Sequence, residues 1–304
     1  NLSWETGWIT FSNRTVLPTL RAIRGNPVLA SLHIECAHDD TDECVDVLYD
    51  ALAHCTSLRE FSFVSKESHD TAPSLVRIPS MPNVDKLYVA MSVLHPDSLE
   101  SMMSTARDIE ICECELRFPT GTRDIEPDCY EGWAQGLTHN SRIEKLGIWH
   151  PSASGSFRSC GRSNFVRVLC SRPNLKHVQL NQWDGRGLQQ GEPIPFDFTT
   201  LDMRRFGAMP SLERLEMAEI PPGGIKHLLA ARPFHLRRFD LLDDDYFFCP
   251  LKMTKEDFLE LLDFLAHEDC QLEHFVNFVP SFGSAAAGAS DDERLRDPIR
   301  ALNN

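Results

Sequence analysis

Eight times along this chain, apolar residues recur at a step of three and then two, and a ninth copy begins. Leu175, Val178 and Leu180 in the stretch RPNLKHVQLNQW have this spacing. One face of a helix favours steps of three and four, and a plain strand favours steps of two, so neither alone accounts for it. The same spacing is carried by Leu29, Leu32 and Ile34, by Leu58, Phe61 and Phe63, and by Val84, Leu87 and Val89. It returns at Ala106, Ile109 and Ile111, at Ile143, Leu146 and Ile148, at Leu212, Leu215 and Met217, and at Leu236, Phe239 and Leu241. A ninth copy begins at Leu272 and Phe275, with Asn277 in the third place. The first residues of successive copies lie 29, 26, 22, 37, 32, 37, 24 and 36 positions apart, a mean of about 30. A unit recurring at that length predicts a solenoid, because one unit cannot bury its apolar face alone and stacked neighbours complete the core.

Short polar or proline-containing turns precede the first apolar residue of a copy, as in HCTSL, SMPNV, HNSRI, SRPNL and AMPSL. Such turns end a helix and launch an extended segment. Between copies the periodicity becomes helical. In DDTDECVDVLYDALAHC, Cys44, Leu48 and Leu52 share a face beside Val47, Ala51 and Cys55, with Asp40 placed to cap and Glu43 three residues on. In TKEDFLELLDFLAHED, Phe258, Leu261, Leu262 and Leu265 form the stripe, and Thr254 is the cap. Shorter helices are predicted in HPDSLESMMSTA, DCYEGWAQGL, SNFVRVLC and GGIKHLLAA, and none in 184–209. A helix separates each strand from the next, so the strands are expected to run parallel. Leu2 and Trp4, two apart, match the end of a further copy, and the chain is expected to begin inside a repeat. Residues 281–304 shift to Gly, Ala, Ser and charge and read as a loosely attached tail.

Composition narrows the functional classes. The 304 residues are 42% apolar and 25% charged, which is ordinary for a globular chain with a sizeable core. A formal charge of −15 argues against nucleic acid and against an anionic membrane surface, both of which call for clustered cations. No apolar run approaches the roughly 20 residues of a bilayer span, and no signal peptide is visible. The ten cysteines are spread through the chain, mostly at apolar-periodic positions, and are expected to be reduced thiols in the cytoplasm or nucleus. Asn1-Leu-Ser3 and Asn13-Arg-Thr15 match glycosylation sequons but carry little weight without a secretion signal.

Residues 1–280 resemble the leucine-rich repeat family. More narrowly, CAHDDTDECVDVLYDALAHCTSLREFSF, residues 36–63, is similar to the cysteine-containing repeats of fungal F-box proteins, and Cys55-Thr-Ser-Leu58 and Pro173-Asn-Leu175 match the ends of such units. That family places Asn or Cys three residues after the third apolar position. Here only Cys114 complies, with Ala37, Lys66, Ser92, Pro151, Trp183, Ile220 and Asp244 elsewhere. The resemblance implies an α/β leucine-rich-repeat solenoid, a horseshoe with a curved parallel sheet on its concave face and helices on its convex face. It also implies a non-catalytic, monomeric substrate-recognition module, which captures a protein on the concave face while an F-box upstream of Asn1 recruits a cullin–RING ubiquitin ligase. The alternative is a stand-alone repeat scaffold or sensor with no ubiquitin link.

Residues flanking the second and third apolar positions should point out from the sheet, because strand side chains alternate. Most are mixed polar surface. Tyr88, Trp149, Val64 and Leu242 stand out as exposed apolar candidates for partner binding, joined by Gln179, Asn181, Glu216, Arg214 and Arg238. Cys112-x-Cys114 has no second ligand pair nearby and reads as ordinary thiols. No nucleophile, phosphate-loop or metal motif appears, so neither catalysis nor a cofactor is expected. The Asp run at 243–245 reads as a solvated loop, with Phe247 and Phe248 beyond it in the core.

Overall fold

The computed structural model describes residues 18, 20–37, 42–66, 75–120, 126–181, 191–217, 220–241 and 254–276. The chain divides into two compact units, residues 1–196 and 197–304. Asp40, Leu242, the 243–245 run, Phe247, Phe248, Asn277, the Leu2 and Trp4 pair, and the 281–304 stretch lie outside the described residues.

In the first unit, strands β1 (Ser31–Ala37), β2 (Glu60–Lys66), β4 (Lys86–Ala90), β6 (Asp108–Cys112), β8 (Lys145–Trp149) and β10 (His177–Asn181) form a parallel sheet in that order. The register aligns the repeated apolar positions. Leu32, Phe61, Leu87, Ile109, Leu146 and Val178 are paired in one row, and Ile34, Phe63, Val89, Ile111, Ile148 and Leu180 in the next. In the second unit β12 (Arg214–Met217), β13 (Arg238–Leu241) and β14 (His274–Val276) repeat the arrangement, with Leu215, Phe239 and Phe275 aligned. From Leu58 to Leu241 every apolar triplet is buried, whereas Leu29, Leu32, Leu272 and Phe275 in the outer copies are partly exposed. Each buried Leu or Ile contributes roughly 1.5–3 kcal/mol.

The three-then-two step has a backbone cause. Just after the first apolar residue, one carbonyl accepts two consecutive N–H groups from the next repeat. Ala30 O takes Arg59 N and Glu60 N at 2.7 and 3.0 Å, and Arg59 O takes Asp85 N and Lys86 N at 2.7 and 3.1 Å. The relay continues through Asp85, Arg107 and Glu144, and in the second unit through Glu213 and Arg237. This tight approach delays the strand by one residue and turns a step of two into three. The recurrent polar lead-ins tie repeats together as well. Ser57 Oγ donates to Asn26 O and Leu29 O, Asn83 Nδ2 to Thr56 O, Asn140 Nδ2 to Met103 O and Ala106 O, and Asn174 Nδ2 to Ser141 O, all within 3.0 Å.

The helices lie where the periodicity places them: α1 (Asp42–His54), α2 (Asp97–Met103), α3 (Glu131–His139) and α4 (Arg162–Cys170) in the first unit, with α6 (Gly224–Leu229) and α7 (Lys255–Leu265) in the second. Neighbours pack on each other, α2 on α3 and α3 on α4, then α6 on α7. In α7 the buried stripe is Phe258, Leu261 and Phe264, while Leu262 and Leu265 are half-exposed, so the core face is rotated by one position from that expected. Thr254 caps α7 as predicted: its side chain accepts from Asp257 N, and Asp257 accepts from Thr254 N at 3.1 Å. The buried Asp257 carboxylate also takes Gly223 N and Lys226 N at 2.9 and 2.8 Å, so one side chain serves the starts of two helices.

Two features escaped the sequence. Residues 184–209 contain a helix, α5 (Thr200–Gly207), begun by a capping box of Thr199 and Asp202 and buried through Met203 and Phe206. A second sheet runs along the first unit, in the order β11 (Glu192–Pro193), β9 (Ser152–Ser154), β7 (Glu115–Arg117), β5 (Val93–Leu94) and β3 (Leu75–Val76). It is parallel except where β11 meets β9. The corner between the two sheets is a left-handed residue in three successive repeats: Met91, Glu113 and His150, at φ 51°, 50° and 49°. Each corner N–H donates to the last residue of the following main strand, to Cys112 O, Trp149 O and Asn181 O at 2.9, 2.8 and 2.9 Å. Just past these corners stands the position where the resembled family has Asn or Cys. Ser92 and Cys114 fill it, both buried, with Ser92 Oγ donating to Ala90 O at 2.7 Å and Cys114 Sγ to Cys112 O at 3.3 Å.

Candidate functional site

The apolar triplets turn inward, so the alternate side chains of the main strands form the opposite, open face of each sheet. In the first unit this face has two halves. Near the strand starts, charges pair across neighbouring strands. Lys86 Nζ lies 2.8 Å from Glu60, and Lys145 Nζ contacts Glu110 and lies 3.8 Å from Asp108. The hydrogen bond that Lys86 donates to Glu60 holds its ammonium above the usual range. Burial pushes the Asp108 carboxyl up, and the nearby Lys145 offsets only part of this. Along the strand-start edge, Arg107 meets Glu144 at 2.7 Å and Arg142 meets Asp85, and the Arg107 bond draws Glu144 below the carboxylate norm.

Toward the strand ends the face becomes apolar. Tyr88 keeps 37% of its surface exposed, and Met91 at the adjoining corner keeps 45%. Val64, Cys112 and Trp149 are half-buried. Cys112 pairs with Ala90 on one side and Trp149 on the other, and Tyr88 pairs with Ser62 and Glu110. Desolvation, followed by the nearby Cys112 and Glu110, raises the Tyr88 phenol, so it stays neutral and able to donate. Desolvation also lifts the Cys112 thiol to about 11 and Cys114 to about 12, leaving neither a ready nucleophile. The chain turns at Glu113 between them, and Cys114 is buried behind the corner, so they do not share the face that simple alternation predicted.

A hollow of about 490 Å³ opens on this face, lined in part by His33, Glu60, Ser62, Lys86, Tyr88, Asp108 and Glu110. Further along, Gly147 leaves a gap. A Cβ there would come within 3.1 Å of Trp149 Nε1 and 3.2 Å of Gln179 Oε1, so a larger residue would press on the indole and the amide, which fold over the glycine. Gln179, expected at the surface, is buried at 6% exposure in this arrangement. Asn181 is corrected likewise: it lies 2% exposed at the end of β10, its carbonyl taking the His150 corner N–H.

In the second unit the same rows carry a different chemistry. Arg214 pairs with Glu216 and Arg238 with Asp240, each along its own strand, and Arg238 Nε also lies 3.9 Å from Glu216. Glu216 and Asp240 are 2% and 1% exposed, so Glu216 is not the surface contact expected of it, because the guanidinium arms cover it. The Arg214 and Arg238 side chains remain about a third and 40% exposed.

Among the described residues, no three His, Cys, Asp or Glu side chains converge as a metal site, and no helix is long and apolar enough to cross a membrane. The described cysteines Cys55, Cys112, Cys114, Cys129, Cys160 and Cys270 are free thiols, and Cys160 is exposed rather than buried. Of the residues nominated from sequence, Val64, Tyr88 and Trp149 lie on the open face of the first unit, on β2, β4 and β8, and Arg214 and Arg238 on adjacent strands of the second. No protein-family model matches the chain, and no curated protein matches it.

Proposed function

We propose that the protein is a non-catalytic protein-interaction module that captures a partner on the open face of its repeat sheet. We further propose that it acts as the substrate-recognition region of an F-box type ubiquitin ligase adaptor. The single observation carrying the docking reading is the half-exposed aromatic patch of Tyr88 and Trp149 on a regular sheet, bordered by paired charges. Aromatic anchors ringed by polar groups are the usual anatomy of an interface hot spot. A sheet whose backbone is fully tied repeat to repeat holds those anchors in place, which limits the entropy lost on binding. The ligase assignment rests on the resemblance of residues 36–63 to cysteine-containing F-box repeats.

The test has two arms. The natural full-length product is assayed for direct binding to purified cullin adaptor; binding supports the ligase reading, and its absence leaves the stand-alone scaffold. Separately, partners captured by wild-type protein are compared with those of Tyr88→Ala and Trp149→Ala. Loss of the same partner in both variants, with the thermal transition retained, supports docking on this face. Retention of every partner by both variants removes it.

A further inference from the structure

We infer that the hollow on the open face of the first unit receives a lysine or arginine side chain of the partner, presented beside an apolar residue that packs on Tyr88. This rests on the docking reading above and narrows it to the chemistry of the occupant. The charged groups lining the hollow are three carboxylates, Glu60, Asp108 and Glu110, and one ammonium, Lys86. Lys86 is committed to Glu60 at 2.8 Å. Lys145 reaches in from β8 and serves both Asp108, at 3.8 Å, and Glu110. Lys86 and His177 add a weaker pull on Asp108, and the three carboxylates still outnumber the two ammonium groups by one negative charge.

Asp108 carries the sign of that imbalance. Its Oδ1 is shielded from solvent and accepts no hydrogen bond. Its carboxyl is held above its ordinary value because burial outweighs the pull of Lys145. The rest of the carboxylate is open to the hollow, the side chain being 35% exposed, and a cation there would stabilise its ionised form. The aromatic side of the hollow suits the same guest. Tyr88 stands in register with Glu110 and offers an exposed ring, and a cation lying over such a ring is attracted by its negative face. A divalent metal is disfavoured, because the Lys145 ammonium already occupies the neighbourhood of both carboxylates. An acidic segment would add repulsion from Glu60, Asp108 and Glu110. Across the whole chain a formal charge of −15 steers a basic partner inward from a distance.

The probe is a fluorescein-labelled heptapeptide with alternating lysine and phenylalanine, compared with its counterpart carrying glutamate for lysine. Fluorescence anisotropy should give a Kd roughly tenfold lower for the basic peptide, weakening as salt rises. Asp108→Asn combined with Glu110→Gln should weaken the basic peptide about fivefold or more while the thermal transition persists. Equal affinity for the two peptides, binding of neither up to millimolar concentration, or an unchanged affinity in the carboxamide variant overturns the inference. Tyr88→Ala separates the two levels of the argument. If it abolishes binding while the carboxamide variant does not, the docking face stands and its preference for a cation falls. If it changes nothing for a peptide that binds, the docking face itself is wrong.

Discussion

The two units place charge on equivalent strand positions and neutralise it in different ways. In the first unit Glu60, Lys86, Asp108 and Lys145 follow one another across neighbouring strands, and the ion pairs lie between strands, partly in solvent. In the second unit the pairs run along one strand, Arg214 to Glu216 and Arg238 to Asp240, with the acids almost wholly buried. Lysine suffices for the first arrangement, because an exposed pair needs only a point charge. The second needs a long planar guanidinium that can reach two residues along a strand and also lie near a neighbouring acid. One row of a repeat can therefore be a wet, adaptable surface in one stretch and a structural staple in another.

The core should not share that difference. Leu180 and Leu215 are both fully buried, one in each unit. Leu180→Asp and Leu215→Asp should each cost more than about 4 kcal/mol in chemical denaturation, enough to lose the repeat and its neighbours. A melt matching wild type for either variant would break the equivalence of the two cores.

Next in size is a charge deletion expected to be unequal. Arg238→Met strands the buried Asp240 and weakens the hold on Glu216, so it should destabilise by about 3–5 kcal/mol. Lys86→Met removes only an exposed pair and should leave the midpoint unchanged within scatter. Arg238→Lys should behave more like Arg238→Met than like wild type, whereas Lys86→Arg should be silent. Comparable losses at Arg238 and Lys86 would erase the distinction between staple and surface.

The smallest effect is one of pH. Burial holds the folded-state carboxyl of Asp108 above its unfolded value of 3.8. The folded state therefore binds that proton more tightly, and ionised Asp108 subtracts stability above its folded pKa. The subtraction disappears as pH falls below the unfolded value. Asp108→Asn should raise the thermal midpoint at pH 7 and leave it unchanged near pH 3.5. Scanning calorimetry at the two values checks this, and a lower midpoint at pH 7 would show that attraction to Lys145 dominates.

Much of this architecture is legible in the letters, because burial on a fixed register forces apolar identity at three positions in every unit. The triplets from Leu58 to Leu241 and six helices follow from that constraint. The outer sheet does not, since strands of two or three residues such as β3 and β5 are too short to carry a period. Its corners are hidden too: Met91, Glu113 and His150 take a left-handed conformation that glycine would have advertised. Helix α5 was missed because its buried apolar face rests on Met203 and Phe206 alone, while Leu201 points to solvent, so it carries too little helical periodicity to stand out. The open face was only half legible. Tyr88, Trp149, Arg214 and Arg238 retain exposure, but Gln179 is buried with its amide over Gly147 one strand away, and Glu216 under arginine arms reaching over it. These are relations between repeats, which no single repeat spells out.

The doubled N–H bonds onto one carbonyl, from Ala30 onward, involve no side chain atoms at all. Any residue but proline can therefore supply the donors at that joint, and the same joint closes whether the intervening loop and helix are short or long. Whole units can be duplicated, lost or lengthened during evolution without redesigning the fastening between them. The uneven spacing of 22 to 37 residues is what a lineage free to tinker in this way would leave behind.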